Sequence, residues 1–196
     1  MRQQTNILLI VTGFIIWLTA ASPIAQAEQK SDQKKIKRGE YLVTVIGCND
    51  CHTPSKMGPN GPENDMAHML SGHPQELAMP PAPILPPGPW MAALSATMTA
   101  WSGPWGVSFT RNLTPDKETG LGDWTEQNFI ETLRTGRQLG KGRQILPPMP
   151  FEAFRNMTDD DLKSIYAYLR SIPALKNKVP DPIAPLQGQP ADGHNK

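Results

Sequence analysis

Two thiols and an imidazole stand together in Cys48-Asn49-Asp50-Cys51-His52. The pattern C-x-x-C-H is the attachment signature of c-type haem. Its spacing follows from the chemistry. Two thiols add across the two vinyl groups of the porphyrin as thioethers, and two intervening residues let both sulfurs reach one porphyrin edge. The histidine that follows then offers its ring nitrogen to the iron. These are the chain's 2 cysteines, which excludes a disulfide-rich scaffold and a four-cysteine zinc site. A thioredoxin-like thiol pair would sit in a βαβ context, and the sequence shows none. Half of a zinc site would need a second Cys or His pair at matching spacing, which is also missing.

An iron held by His52 alone keeps an open sixth position unless a second side chain closes it. Met149 is the candidate, in Leu146-Pro147-Pro148-Met149-Pro150. A thioether is a soft axial ligand, and Met/His ligation raises the reduction potential. The flanking prolines hold such a loop with little entropy left to lose. Met149 as plain core filling is the bland alternative. His68 or His73 could replace it, and Met66, His68, Met69 and His73 could together hold copper. Arg134, Arg137, Lys141 and Arg143 could pair with haem propionates or form a docking patch, or simply be solvated. Trp105 and Trp124 could donate indole N–H groups to propionates or merely pack. The Pro54 region is the expected source of a backbone carbonyl for the His52 Nδ1–H. Asn112-Leu113-Thr114 and Asn156-Met157-Thr158 match the glycosylation pattern. No G-x-S-x-G, H-E-x-x-H or phosphate-binding glycine loop occurs.

Three helices would position these groups. Residues 33–47 carry Ile36, Gly39, Leu42, Val43 and Ile46 at helical spacing and lead directly into Cys48. Residues 126–135 follow Thr125 as N-cap, bury Phe129, Ile130 and Leu133, and end at Gly136. Residues 159–171 follow Thr158 as N-cap, with Asp159, Asp160 and Asp161 at the positive end of the helix dipole. Leu162, Ile165, Tyr166 and Leu169 form their buried stripe, Met157 and Leu162 fill the staple positions, and Pro173 ends the helix. Residues 54–104 differ: they hold 11 of 21 prolines and 6 of 9 methionines. No alternating run is long enough to predict a sheet, and only residues 90–100 suit a further short helix. The apolar, charge-poor composition of residues 66–101 favours burial against the haem edge or the helices over a loose insertion.

The chain has 196 residues with 19 Lys+Arg against 18 Asp+Glu, a net charge of +1. That balance excludes nucleic acid as the main partner. Residues 7–21 are apolar and uncharged, and Ala25-Gln26-Ala27 follows as a small-x-small cleavage pattern. The expectation is a signal peptide over residues 1–27, with export to the periplasm. Lys30, Lys34, Lys35, Lys37 and Arg38 flank the run and favour the alternative, membrane association through an uncleaved N-terminus. Residues 28–176 would form the haem domain, with 57–104 as a Pro/Met-rich insertion. Residues 177–196 would be a Pro-rich flexible tail.

The haem motif, the three helices, the Met149 loop, Gly39 and Tyr168 together resemble class I c-type cytochromes. The stretch from Asn112-Leu113-Thr114-Pro115-Asp116 to the last helix is similar to the cytochrome modules of bacterial membrane-bound alcohol dehydrogenases. The resemblance covers roughly residues 34–56 and 105–173. It implies that the first and last helices cross at Gly39 under Tyr168. It also implies an all-α, cytochrome c-like fold with three or more helices around one covalent haem c and long Pro-rich loops. The implied function is one-electron transfer by an electron carrier rather than an enzyme. Cys48 and Cys51 would hold the porphyrin, and His52 and Met149 the iron. Partners would be redox proteins: a dehydrogenase, oxidase or reductase. Alternatives are a haem enzyme or ligand sensor with an open sixth site, or a haem subunit of a dehydrogenase complex. The 97 residues from His52 to Met149 exceed what small class I members need.

Overall fold

The three expected helices are present in the computed structural model, which describes residues 23–86 and 88–185. Helix α1 spans Pro23–Val45, starting ten residues earlier than its apolar stripe suggests. Residues 1–22, most of the expected signal peptide, lie outside the described residues. Gly47, with φ +74°, turns the chain into the short helix α2, Cys48–His52. Helix α3, Glu126–Thr135, carries a full capping box between Thr125 and Asn128 and ends at Gly136 in the left-handed region. After the one-turn α4, Phe151–Phe154, helix α5 runs Asp159–Ser171, and the Thr158 side chain accepts from the Asp161 N–H.

Helices α1 and α5 cross where α1 has no side chain. A Cβ on Gly39 would lie 1.9 Å from the Ser164 carbonyl oxygen and 2.8 Å from Tyr168 Cβ. The glycine therefore lets the two backbones meet. Leu42 and Val43 of α1 then bury with Leu162, Ile165 and Leu169 of α5 and Phe129, Ile130 and Leu133 of α3. Arg38 Nε bonds Asp161 Oδ1 at 2.9 Å across the same crossing.

The expected all-α class does not hold. Two antiparallel sheets lie between α2 and α3, so the architecture is mixed α and β. Strands β1, Ser55–Gly58, and β2, Gly61–Asn64, form a hairpin. Strands β3, Ala93–Leu94, β4, Ala100–Gly103, and β5, Gly106–Phe109, form a second sheet in that order. The strands have two to four residues, too short for alternation to register as a pattern. Their turns are the legible part. Gly58 pairs with Gly61 and Gly103 with Gly106, so Gly-Pro-Asn-Gly and Gly-Pro-Trp-Gly each close a hairpin. Proline pre-sets φ at the second turn position, and glycine suits the fourth. Residues 93–94 are strand, where a short helix over 90–100 was expected.

The Pro/Met-rich segment is packed only in part. Leu70, Ser71, His73, Thr99 and Ala100 are buried, whereas Ile84, Trp90 and Met91 are largely exposed. Residues 177–184, expected as the start of the flexible tail, run back across the molecule: Asn177 and Val179 are buried, and Ile183 bridges Val107. Residues 186–196 lie outside the described part. Among the described residues no helix is long and apolar enough to cross a membrane.

Candidate functional site

Helix α2 places Cys48 and Cys51 three residues apart, hence on one face. Both line a cavity of about 590 Å³ together with His52 and Met149. Four residues from opposite ends of the chain thus share one chamber. Its apolar walls come from Leu121, Phe129, Leu133, Ile165 and Leu169, most of them core residues on α3 and α5. None of residues 57–104 lines it; of the two burials expected for residues 66–101, the one found is against the helices, where Leu70 joins their core and Met69 packs on it.

His52 is buried, and its Nδ1 lies 2.7 Å from the Arg111 carbonyl oxygen. With Nδ1–H donating there, the Nε2 lone pair is left for a metal. Burial lowers the His52 pKa, against the raising effect of that carbonyl. The ring is therefore held neutral, the form that ligates. The carbonyl does not come from Pro54, whose oxygen accepts instead from the Asp65 N–H at 2.8 Å. Arg111 is 59 residues from His52 in sequence, and no local pattern could have pointed to it.

Burial pushes the Cys48 thiol up to about 12 and also raises Cys51, with Asp50 adding to both. Both shifts run against the lowered thiol pKa of a redox-active C-x-x-C pair. Met149 is half-buried against the helical core. Its loop is tied to β5, since the Ser108 hydroxyl donates to the Pro147 carbonyl at 2.6 Å.

The other candidates separate. Both His73 ring nitrogens are engaged, with Thr99 Oγ1 at 2.9 Å and the Leu77 carbonyl at 3.1 Å. His68 Nδ1 is held by Asp65 at 2.6 Å. Neither histidine lines the cavity. Among the described residues no group of three or more His, Cys, Asp or Glu could hold a metal. Arg134 serves the α5 N-terminus by bonding Asp159 Oδ1 at 2.6 Å and the Arg155 carbonyl. Arg143 and Trp124 do line the cavity. Trp105 does not, and its buried Nε1 finds no partner among the described residues.

A haem c fits these residues: the thiols are adjacent on one helix face, the His52 ring has one nitrogen free, and the chamber is mainly apolar with Arg111, Lys117 and Arg143 on its lining. No family model matches the chain. It is 30% identical over 87% of its length to the cytochrome c subunit of a quinone alcohol dehydrogenase of Gluconobacter oxydans (strain 621H), covering 29% of that protein. It is 28% identical over 84% of its length to the fructose dehydrogenase cytochrome subunit of Gluconobacter japonicus, covering 28%. A gluconate 2-dehydrogenase cytochrome c subunit of Pantoea cypripedii is 27% identical over 83% of the chain, with 27% of that protein covered. The chain thus spans less than a third of the length of these relatives.

Proposed function

We propose, proceeding from the chain's likeness over most of its length to the cytochrome c subunits of bacterial dehydrogenases, that it is a one-haem electron-transfer module. The observation that carries the reading is the single cavity into which Cys48, Cys51, His52 and Met149 all open. Haem c supplies reversible one-electron exchange between Fe(II) and Fe(III). The protein's part is to hold and insulate it. Cys48 and Cys51 would fix the porphyrin covalently, and His52 would ligate through Nε2 while Arg111 anchors its other nitrogen. Met149 would close the sixth position, which favours the reduced state and excludes oxygen chemistry. Leu121, Phe129, Leu133, Ile165 and Leu169 keep water away.

The names of the relatives support a dehydrogenase as electron donor, with this chain as carrier rather than catalyst. The apolar run at residues 7–21 supports export to the periplasm. The test is made on protein produced with a haem-maturation system. Denatured, acid-acetone-extracted protein should stay coloured and gain the mass of one haem. The oxidised protein should be low-spin, with the weak far-red band of thioether ligation. Colour that leaves with the solvent, or a high-spin ferric spectrum, would overturn the reading.

A further inference from the structure

The segment after α5 reaches the residue that holds the proximal histidine. Asn177 is buried, and its amide is fully used. Nδ2 donates to the Ser71 carbonyl at 2.6 Å and the His73 carbonyl at 2.9 Å, while Oδ1 accepts from the Gln75 N–H at 2.9 Å. Residues 70–73 in turn lie between His52 and residues 110–113. The Gly72 N–H donates to the His52 carbonyl at 2.8 Å, the His73 N–H to the Thr110 carbonyl at 2.9 Å, and the Leu113 N–H to the Leu70 carbonyl at 2.8 Å. Gly72 sits at φ +80°, and a Cβ there would lie 2.4 Å from the Thr110 carbonyl oxygen, so the two segments touch backbone to backbone.

Arg111 lies inside this clasp, and both its neighbours are tied. Thr110 is held by His73. Asn112 Nδ2 donates to the Leu175 carbonyl at 2.8 Å. The Arg111 guanidinium itself donates to the Pro180 carbonyl at 3.1 Å. The carbonyl facing His52 Nδ1 therefore has little freedom to move, and the restraint comes from residues 70–73 together with residues 175–180, which Asn177 joins.

We propose that the strap 175–180, through Asn177, is the positioning element of the proximal ligand: it fixes the Arg111 carbonyl and so sets the strength of the His52 Nδ1–H bond. This rests on the haem reading above. A firm bond at Nδ1 makes the imidazole a more basic ligand, which favours Fe(III). Asn177 thereby tunes the potential without touching haem.

The test uses the holoprotein and Asn177→Ala. Thr125→Ala, which removes the α3 cap and leaves the strap alone, is the control for general loss of stability. In the diamagnetic reduced state, solvent exchange of the His52 Nδ1 proton is measured by NMR alongside the midpoint potential. The expected result is faster exchange and a higher potential than in both native protein and Thr125→Ala. Exchange and potential equal to those of Thr125→Ala at matched stability would make the strap purely structural and overturn the proposal; so would a lower potential with exchange unchanged. If Asn177→Ala does not fold, Asn177→Ser, which keeps a hydroxyl in the pocket, carries the same expectation at smaller amplitude. A native protein without covalent haem would overturn the functional reading and this proposal together, before any variant is made. Failure of the proposal alone shows only in the variants.

Discussion

At the scale of single residues, the chamber assigns each candidate ligand a distinct task, and Met149 gives the most direct check. As the proposed second iron ligand its thioether would favour Fe(II), and its loop is pinned to β5 through Ser108 and Pro147. Met149→Ala is expected to lower the midpoint potential by on the order of 0.1 V, within the roughly 0.8 V that axial ligands span. It should also let the reduced protein bind carbon monoxide. Redox titration and the carbon monoxide difference spectrum measure both. An unchanged potential with no carbon monoxide binding would remove Met149 from the coordination sphere. His68 and His73 are not rivals in this structure, because neither reaches the cavity.

At the scale of elements, the α1–α5 crossing holds the two ends of the haem domain together. Gly39→Ala would put a methyl group 1.9 Å from the Ser164 carbonyl oxygen. Alanine gains about 1 kcal/mol of helix propensity over glycine, but the overlap forces the helices apart at a cost of roughly 1–3 kcal/mol or more. A net fall in the urea midpoint is expected, and a rise would show that the helices do not meet at this glycine. The crossing also carries a pH dependence. The hydrogen bond from Arg38 holds the Asp161 carboxyl below its usual range, so its folded pKa lies under its unfolded one. The stability it adds is fully present above the unfolded value and is lost as pH falls through the folded value. Asp161→Asn should therefore be less stable than native protein near neutral pH, with the gap closing as pH falls below the usual carboxylate range. A gap that persists in acid would assign the loss to the Thr158 cap rather than to the ion pair. The pair is partly exposed, so its effect is modest.

For the whole molecule, the proposed haem would make folding depend on the chamber's occupant. Left unfilled, the pocket would leave the apolar faces of Leu121, Phe129, Leu133, Ile165 and Leu169 open to water. An ordinary domain has only about 5–15 kcal/mol of stability to set against such exposure. The double variant Cys48→Ala with Cys51→Ala, produced without bound haem, is expected to lose fixed tertiary structure. Near-ultraviolet circular dichroism and proteolysis would show it. A haem-free double variant with a cooperative, native-like melt would mean that the chamber collapses at little cost. The same dependence explains how a chain with four strands of four residues or fewer and one of two can specify a fold: the helices and both loops close on a shared centre.

Local chemistry alone was enough to identify much of this protein. The spacing of Cys48, Cys51 and His52 points to haem c because covalent attachment would fix distance along the chain. Helices α3 and α5 were legible because capping and an apolar stripe are periodic signals within one segment. Gly39 was placed correctly through the resemblance, and the absence of a Cβ is what the crossing needs. The two sheets were missed because strands of two to four residues show no period. Their Gly-Pro-x-Gly turns were the available sign. Tertiary structure decided the rest. The carbonyl for His52 comes from Arg111 and not from beside the motif, because residues 110–113 are pressed against Gly72. Residues 177–184 were read as tail from their prolines and polarity, yet Asn177 is buried because three backbone groups of another segment use up its amide. Such pairings join positions about 60 to 100 residues apart, and only the folded chain brings their partners within reach.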